Sequence, residues 1–115
     1  MAMTSPSGLI IEDLVTGTGT DCPAGATVTI HYRGTLTDGT EFDSSHKRNE
    51  PATFPLRSLI AGWQQGIPGM KVGGKRKLTI PHELGYGDRP VRDGHKVIIP
   101  AKSTLVFEIE LLGVK

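Results

Sequence analysis

The chain has few aromatic residues, one cysteine, almost no excess charge and no apolar run long enough to span a membrane. Its formal net charge is +1, from 13 basic and 12 acidic side chains. Balanced charge argues against a nucleic acid or a membrane surface as a partner held by electrostatic attraction. The single cysteine, Cys22, forms no internal disulfide, which favours a reducing compartment. Residues 1–8 lack the basic start and apolar run of a signal peptide, so we expect a cytoplasmic protein.

The length of 115 residues predicts one domain that folds without disulfides or metal. We expect a flexible N-terminus at residues 1–7 and a single domain over residues 8–115. The 15 glycines and 8 prolines predict many turns and few long helices. The even spread of charge and the lack of an additional helix favour a monomer.

Alternating apolar and polar residues predict four strands. The clearest alternation lies at 105–111, and the same pattern is present at 27–32, 9–14 and 77–80. The sequence Thr-Asp-Gly-Thr at 37–40 predicts a tight hairpin turn, because Asp-Gly readily adopts the backbone twist that a hairpin needs. This turn folds the strand that ends at Leu36 back onto the residues that follow it.

One short helix is predicted. Leu59, Ile60 and Trp63 share one face at helical spacing. Ser58 is the expected N-cap, because a serine side chain can satisfy the free N–H groups at a helix start. The Gly-Ile-Pro sequence at 66–68 ends the helix within about two turns.

Together these elements predict several antiparallel strands around one short helix. Two long loops are expected, at 44–55 before the helix and at 87–97 well after it. Loops of that size in a compact domain are usually functional.

The basic residues at 75–77 have a simple structural interpretation. The basic run that includes Lys75, Arg76 and Lys77 predicts a solvated strand face, with Arg76 at the frayed end of its inward side. No aromatic residue lies nearby to stack on bases, which argues against nucleic-acid binding.

The four histidines, at 31, 46, 82 and 95, show no metal-ligand spacing, so we expect neither a metal site nor a cofactor.

The six aromatic residues lie in contexts that suggest more than core packing. Phe42 is followed at once by Asp43. Tyr32 lies two residues before Gly34, and Tyr86 lies between two glycines. Rings beside glycine turns and a carboxylate are typical of an apolar pocket for a small ligand.

Asp43 itself has two interpretations. A lone aspartate in this position is most often a solvated turn residue. The alternative is a carboxylate kept ionised at the rim of an apolar site by Arg48, five residues further on. The residues alone slightly favour the first interpretation.

Eight short segments, taken in order, resemble the FKBP-type peptidyl-prolyl cis–trans isomerases. Each segment alone is weak, but their order and spacing are specific, and the resemblance extends from about Gly8 to the C-terminus. The segments are VTIHYRG at 28–34, DGTEFDSS at 38–45, GWQQG at 62–66, MKVG at 70–73, LTIP at 78–81, LGYG at 84–87, IIP at 98–100 and TLVF at 104–107.

The resemblance implies an α+β fold, in which a curved antiparallel sheet of five to six strands is wrapped around one short α-helix. It also implies a shallow apolar cleft between helix and sheet as the active site. Matched by motif, Tyr32, Phe42 and Phe107 resemble the side walls of that cleft. Trp63 resembles its floor, and Phe54 an apolar position near it.

The polar positions of the family's cleft also have matches. Asp43 resembles the carboxylate that faces the twisted amide, and Arg48 the arginine near it. Tyr86 resembles the rim tyrosine whose hydroxyl bonds a ligand carbonyl. The remaining matches are the substrate contacts at the helix start, where the backbone N–H of Ile60 is the implied donor, and in the upper loop: Leu59, Ile60, Ile98 and Ile99.

The chain departs from the family pattern at three places. Ala52 stands where many members have a further aromatic wall residue. The segment 54–63 is shorter than is typical of the human members. The loop 87–97 is longer and more charged, and this loop shapes substrate preference and macrolide contacts in the family.

The implied activity is peptidyl-prolyl cis–trans isomerisation in protein folding, with no cofactor and no metal. The implied partners are proline-containing peptides, unfolded proteins and macrolides such as tacrolimus or rapamycin. Two alternatives stay open: a module that binds proline peptides or macrolides with weak or no catalysis, and a chaperone that uses exposed apolar loop surface.

Overall fold

The computed structural model of the protein describes residues 2–4, 8–94 and 96–115, with four side chains left out, those of Ala2, Met3, Arg48 and Asp93. One α-helix is present in these ranges, α1 (Ala61–Gly66), with 3₁₀ turns at His46–Arg48, Leu56–Ser58 and His82–Leu84. None of the described helices is long and apolar enough to cross a membrane. The strands are β1 (Ala2–Thr4), β2 (Ile10–Val15), β3 (Thr27–Leu36), β4 (Glu41–Ser44), β5 (Ala52–Pro55), β6 (Lys75–Ile80), β7 (Val91–Asp93), β8 (Lys96–Ile99) and β9 (Leu105–Val114).

The main sheet is antiparallel throughout, in the order β1-β2-β6-β9-β3. Both β4 and β5 pair with the remaining edge of β3, so seven segments fill six strand positions. Strands β7 and β8 form a separate hairpin. The predicted α+β fold, an antiparallel sheet of five to six strands around one short helix, is confirmed.

The two long central strands, β3 and β9, show the burial pattern that alternation predicts. Val28, Ile30 and Tyr32 are buried on one face of β3, while the residues between them are half-buried. The turn after β3 is closed by the Leu36 N–H, which donates to the Thr40 oxygen at 2.8 Å. Gly39 has φ +90°, a conformation that glycine adopts without strain.

Two glycines bring α1 close to the sheet. A Cβ on Gly62 would lie 2.6 Å from a side-chain carbon of Ile80, and one on Gly66 would lie 2.7 Å from Leu78. Ordinary carbon–carbon contacts are about 3.5–4.0 Å, so no larger residue fits at either position without movement. The close approach buries Trp63, which lies between the two glycines in sequence.

The predicted helix start is wrong. Helix α1 begins at Ala61 with Ile60 as its N-cap residue, and no side chain caps it. The Ser58 hydroxyl instead donates to the Pro55 oxygen at 2.9 Å. This bond closes the preceding 3₁₀ turn, after which Leu59 and Ile60 are extended.

The two predicted loops contain regular structure. Strand β5 lies at the end of the first, where Phe54 pairs with Val28 of β3. The second contains β7 and the start of β8. Local alternation does not predict β5 or the β7–β8 hairpin. Short strands between prolines and glycines have little local pattern, and pairing with other strands stabilises them.

Arg76 is not at a frayed, solvated end, contrary to expectation. Its side chain is 11% exposed, and Nε donates to Asp13 Oδ1 at 2.6 Å. Nη1 donates to the Gly66 oxygen at 2.8 Å and to the Pro68 oxygen at 3.3 Å. One guanidinium thus connects β6, β2 and the carbonyl groups at the end of α1.

We expect Arg76→Met to lower the free energy of unfolding by about 2 kcal/mol, because hydrogen bonds to charged groups contribute roughly 1.5–3 kcal/mol. The matched control is Lys75→Met, one residue earlier on β6 and exposed, which should change the value by at most about 0.5 kcal/mol. Urea denaturation of both variants measures the difference. Equal losses would contradict the anchoring role of Arg76.

Candidate active site

A cavity of about 410 Å³ lies between α1, the sheet and the β7–β8 hairpin. Its lining is mainly apolar and aromatic, with the carboxylate of Asp43 and the hydroxyl of Tyr86 among the few polar groups. We refer to it as the ring cavity. It is lined by Tyr32, Phe42, Asp43, Phe54, Ser58, Leu59, Ile60, Trp63, Tyr86, Val91, Ile98, Ile99 and Phe107.

The rings of the cavity hold one another in place. Trp63, 5% exposed, contacts Phe107 edge to face at a centroid distance of 4.9 Å and Tyr32 at 5.3 Å. Phe42 contacts Phe107 edge to face at 5.4 Å, and Phe54 contacts Trp63 at 6.3 Å. Edge-to-face contacts are favoured by the ring quadrupoles, and they connect the walls and the floor of the cavity in one continuous set of rings.

The Asp43 carboxylate is fixed in position from two directions. Its Oδ2 accepts the Tyr32 hydroxyl hydrogen at 2.7 Å, and its Oδ1 accepts the Ser44 N–H at 2.9 Å. Hydrogen bonds to a carboxylate are stronger than those between neutral groups. The negative charge therefore stands at a defined point of the cavity wall.

Tyr86 lies at the cavity rim and is 43% exposed. Burial of part of the ring raises the pKa of its hydroxyl, and the negative charge of Asp43 raises it further. The hydroxyl therefore keeps its proton at neutral pH and remains a hydrogen-bond donor.

Ser45 is fully buried and forms hydrogen bonds with two residues of β3, His31 and the cavity-wall residue Tyr32. Its Oγ accepts the Tyr32 N–H at 2.8 Å and lies 2.8 Å from His31 Nδ1. Its own N–H donates to the Tyr32 oxygen at 3.0 Å. These bonds hold the backbone of Tyr32 close to the chain that follows Asp43.

We expect Ser45→Ala to lower the free energy of unfolding by about 1–3 kcal/mol, because it leaves the buried Tyr32 N–H without its acceptor. Ser103→Ala is the control, since Ser103 Oγ also bonds backbone, at 2.6 Å to the Pro100 oxygen, but in an exposed turn. Its loss should stay near 0.5 kcal/mol. Thermal denaturation followed by circular dichroism compares the two, and similar losses would contradict a structural role for Ser45.

The structure brings together eleven of the residues named from the sequence: Tyr32, Phe42, Asp43, Phe54, Leu59, Ile60, Trp63, Tyr86, Ile98, Ile99 and Phe107. The side chain of Arg48 lies outside the part of the chain that the structure describes. Ser58 and Val91 also line the cavity and were not named for it. Val91 pairs with Ile99 across β7 and β8, a hairpin that no local signal predicted.

No metal centre is evident in the described ranges, where no three His, Cys, Asp or Glu residues are grouped to hold an ion. Cys22 is buried and is not among the residues that line the ring cavity. Burial raises the pKa of its thiol, although the positive charge of Arg76 opposes this. A protonated thiol is a poor nucleophile.

Comparison with known protein families gives a match over most of the chain. A family model described as FKBP-type peptidyl-prolyl cis-trans isomerase matches residues 19–112. The FK506-binding protein of Neisseria meningitidis serogroup B is 51% identical over 109 residues, which cover 93% of this chain and 96% of that protein. The FKBP-type peptidyl-prolyl cis-trans isomerase FkpA of Escherichia coli K12 is 46% identical over 112 residues, 97% of this chain and 40% of that protein.

Crystal structures of other proteins are similar along almost the whole chain. That of AtFKBP13 has a TM-score of 0.91 and 43% sequence identity, covering 100% of this chain and 99% of that one. That of FkpA from Escherichia coli has a TM-score of 0.90 and 46% identity, covering 99% of this chain and 51% of that one. The fold is therefore shared with both.

Proposed function

Because the chain belongs to the FKBP-type peptidyl-prolyl cis–trans isomerases and is an enzyme of that class, we propose that it isomerises X–Pro peptide bonds inside the ring cavity by a non-covalent, twisted-amide mechanism. The observation that carries the proposal is the cavity itself, whose aromatic walls pack against one another and whose lining, among the described residues, includes one carboxylate, that of Asp43. The proposed clients are proline-containing peptides and unfolded proteins.

The enzyme lowers the barrier to rotation about the X–Pro bond, which arises from the resonance of the amide. Partial double-bond character of C–N sets a rotation barrier of roughly 18–20 kcal/mol. Uncatalysed X–Pro isomerisation takes tens to hundreds of seconds and can limit folding. An enzyme needs no nucleophile for this reaction, because it accelerates rotation by binding the twisted amide more tightly than the planar one.

The apolar rings supply one part of that preference. A planar amide is more dipolar than a twisted one, so a cavity that excludes water disfavours the planar form. Trp63 forms the floor on which the proline ring rests, and Tyr32, Phe42 and Phe107 form the walls. Leu59, Phe54, Ile98 and Ile99 complete the apolar contact with the substrate.

Fixed polar groups supply the other part. In the proposed complex the Asp43 carboxylate faces the twisted amide. The hydrogen bonds from the Tyr32 hydroxyl and the Ser44 N–H hold the carboxylate there without reorganisation. Tyr86 donates its hydroxyl hydrogen to the substrate carbonyl, and the backbone N–H of Ile60 is a second donor.

Exchange between cis and trans signals of a Leu-Pro peptide, followed by NMR, tests the proposal. We expect exchange to accelerate in proportion to enzyme concentration and kcat/KM to be unchanged in D2O, because no proton is transferred in the rate-limiting step. Exchange no faster than in buffer would leave a binding module without catalysis. A large solvent isotope effect would refute the twisted-amide mechanism.

We also propose that the ring cavity binds macrolides such as tacrolimus and rapamycin, supported by relatives named FK506-binding proteins. Trp63 is the only tryptophan of the chain and lies at the cavity floor, so its fluorescence reports occupancy. Tacrolimus should change that fluorescence saturably and inhibit peptide isomerisation at the same concentrations. Inhibition without a change in fluorescence would place the macrolide elsewhere.

Two further proposals concern the protein in the cell. A cytoplasmic location is supported by the single, buried cysteine, which suits a reducing compartment. A monomer is supported by the near-neutral, balanced charge of the chain. Cell fractionation tests the first proposal and sedimentation equilibrium the second.

A further inference from the structure

We propose that Gly34 is a positioning residue for the isomerase reaction, because the space left by its missing side chain is where Phe42 and Phe107 meet at the cavity wall. The inference rests on the proposed function, since the placement of these rings matters for the rate only if the X–Pro bond turns in this cavity.

Gly34 stands between two residues of the site. In the sheet its register partners are Asp43 of β4 on one side and Phe107 of β9 on the other. It follows Tyr32 by two residues, so a side chain at this position would point to the same face of β3 as the Tyr32 ring. Glycine inside a strand often marks a close approach of another group.

The space above Gly34 is filled by the two phenylalanine rings. A Cβ at this position would lie 2.7 Å from Phe107 Cε1 and 2.7 Å from Phe42 Cζ. Contacts between carbon atoms are ordinarily about 3.5–4.0 Å. The rings therefore occupy the volume that even a methyl group would need, and they meet there at an interplanar angle of 89°.

Phe42 is the ring that a larger residue would displace. Phe107 is 3% exposed and packs edge to face against the buried Trp63 ring, with 4.9 Å between the ring centroids. Phe42 is half-buried and borders the open ring cavity. A side chain at position 34 would therefore push Phe42 into the cavity, next to the carboxylate of Asp43.

Gly113 provides a matched control for Gly34. It lies on β9, opposite Thr29 of β3, so the same substitution falls in the same pair of strands. Neither glycine has a positive φ, so alanine strains the backbone at neither position. At Gly113 an added Cβ would meet nothing closer than 3.8 Å.

The kinetic test compares kcat/KM for a Leu-Pro peptide. Gly34→Ala should lower it at least about tenfold, since displacing a group near the reacting bond by an ångström can cost up to a hundredfold. Gly113→Ala should stay within about twofold of the wild type. A Gly34→Ala enzyme as active as Gly113→Ala would overturn the inference.

Rescue distinguishes positioning from a general loss of structure. Two of the three atoms nearest to an added Cβ at position 34 belong to Phe42, Cζ and Cε1, and the third is Phe107 Cε1. Leucine at position 42 ends at Cδ and lacks both Phe42 atoms, so the added methyl group can move away from Phe107 into the space they leave. Gly34→Ala should therefore cost less than about threefold when added to Phe42→Leu. An unchanged penalty in that background would overturn the inference. If Gly34→Ala alone does not fold, a folded double variant supports the inference, and a double variant that also fails to fold overturns it.

A structural signature accompanies the kinetics. Nuclear Overhauser contacts between the Phe42 and Phe107 rings should persist in Gly113→Ala and be lost or rearranged in Gly34→Ala. Unchanged contacts in Gly34→Ala would overturn the inference even if the rate falls. An inactive wild-type enzyme would instead refute the proposed function, and this inference with it.

Discussion

Replacing Asp43 by asparagine is expected to lower kcat/KM for proline-peptide isomerisation about tenfold or more, equivalent to about 1.4 kcal/mol of transition-state stabilisation. Asparagine has nearly the same shape but no charge, so the change removes the field of the carboxylate while leaving the ring cavity filled. The loss should fall mainly on kcat, because the proposed interaction is stronger with the twisted amide than with the planar one. Progress curves at several peptide concentrations separate kcat from KM.

The control is Asp38→Asn, on the turn that joins β3 to β4. Asp38 is exposed and its Oδ1 accepts the Thr40 N–H at 2.9 Å. Asparagine retains that acceptor, so the hairpin and the activity should be preserved. A loss of activity shared by both variants would indicate disturbance of the hairpin. Full activity in Asp43→Asn would remove the carboxylate from the mechanism.

Both carboxylates lie in a region that local pattern predicts well. The Asp-Gly turn and the alternation at β3 and β9 have their signals within a few residues, and these elements form as predicted. Strand β5 is different, because its stability comes from pairing with β3, more than twenty residues earlier in the chain. Local alternation contains no information about such a partner.

The residues of the site, unlike the strands, were predictable from family motifs and not from local alternation. Spacing alone left Asp43 as a turn aspartate, whereas the ordered motifs of a known family placed it in a cleft. The structure supplies what neither source contains: the Tyr32 hydroxyl on Asp43 and the contact of rings above Gly34. Both depend on the register between strands, which a single sequence does not specify.

The same dependence on packing makes Trp63 the position with the largest expected effect on stability. Trp63→Ala should lower the free energy of unfolding by about 3–5 kcal/mol, because it leaves a void among the three rings that contact the indole. Domains of this kind have a total of about 5–15 kcal/mol. Urea denaturation measures the loss, and Leu112→Ala on β9, an exposed apolar side chain, should cost about 0.5 kcal/mol.

Trp63→Phe then separates folding from catalysis. The Trp63 Nε1 is buried and has no hydrogen-bond partner among the described residues, so phenylalanine sacrifices ring area but no hydrogen bond. It should retain most of the stability that alanine loses. If this folded variant still loses isomerase activity, the indole acts as the surface that holds the proline ring. If Trp63→Phe retains full activity, the contribution of Trp63 is to pack against the walls of the cavity. A loss of unfolding free energy in Trp63→Ala no greater than in Leu112→Ala would refute that packing role as well.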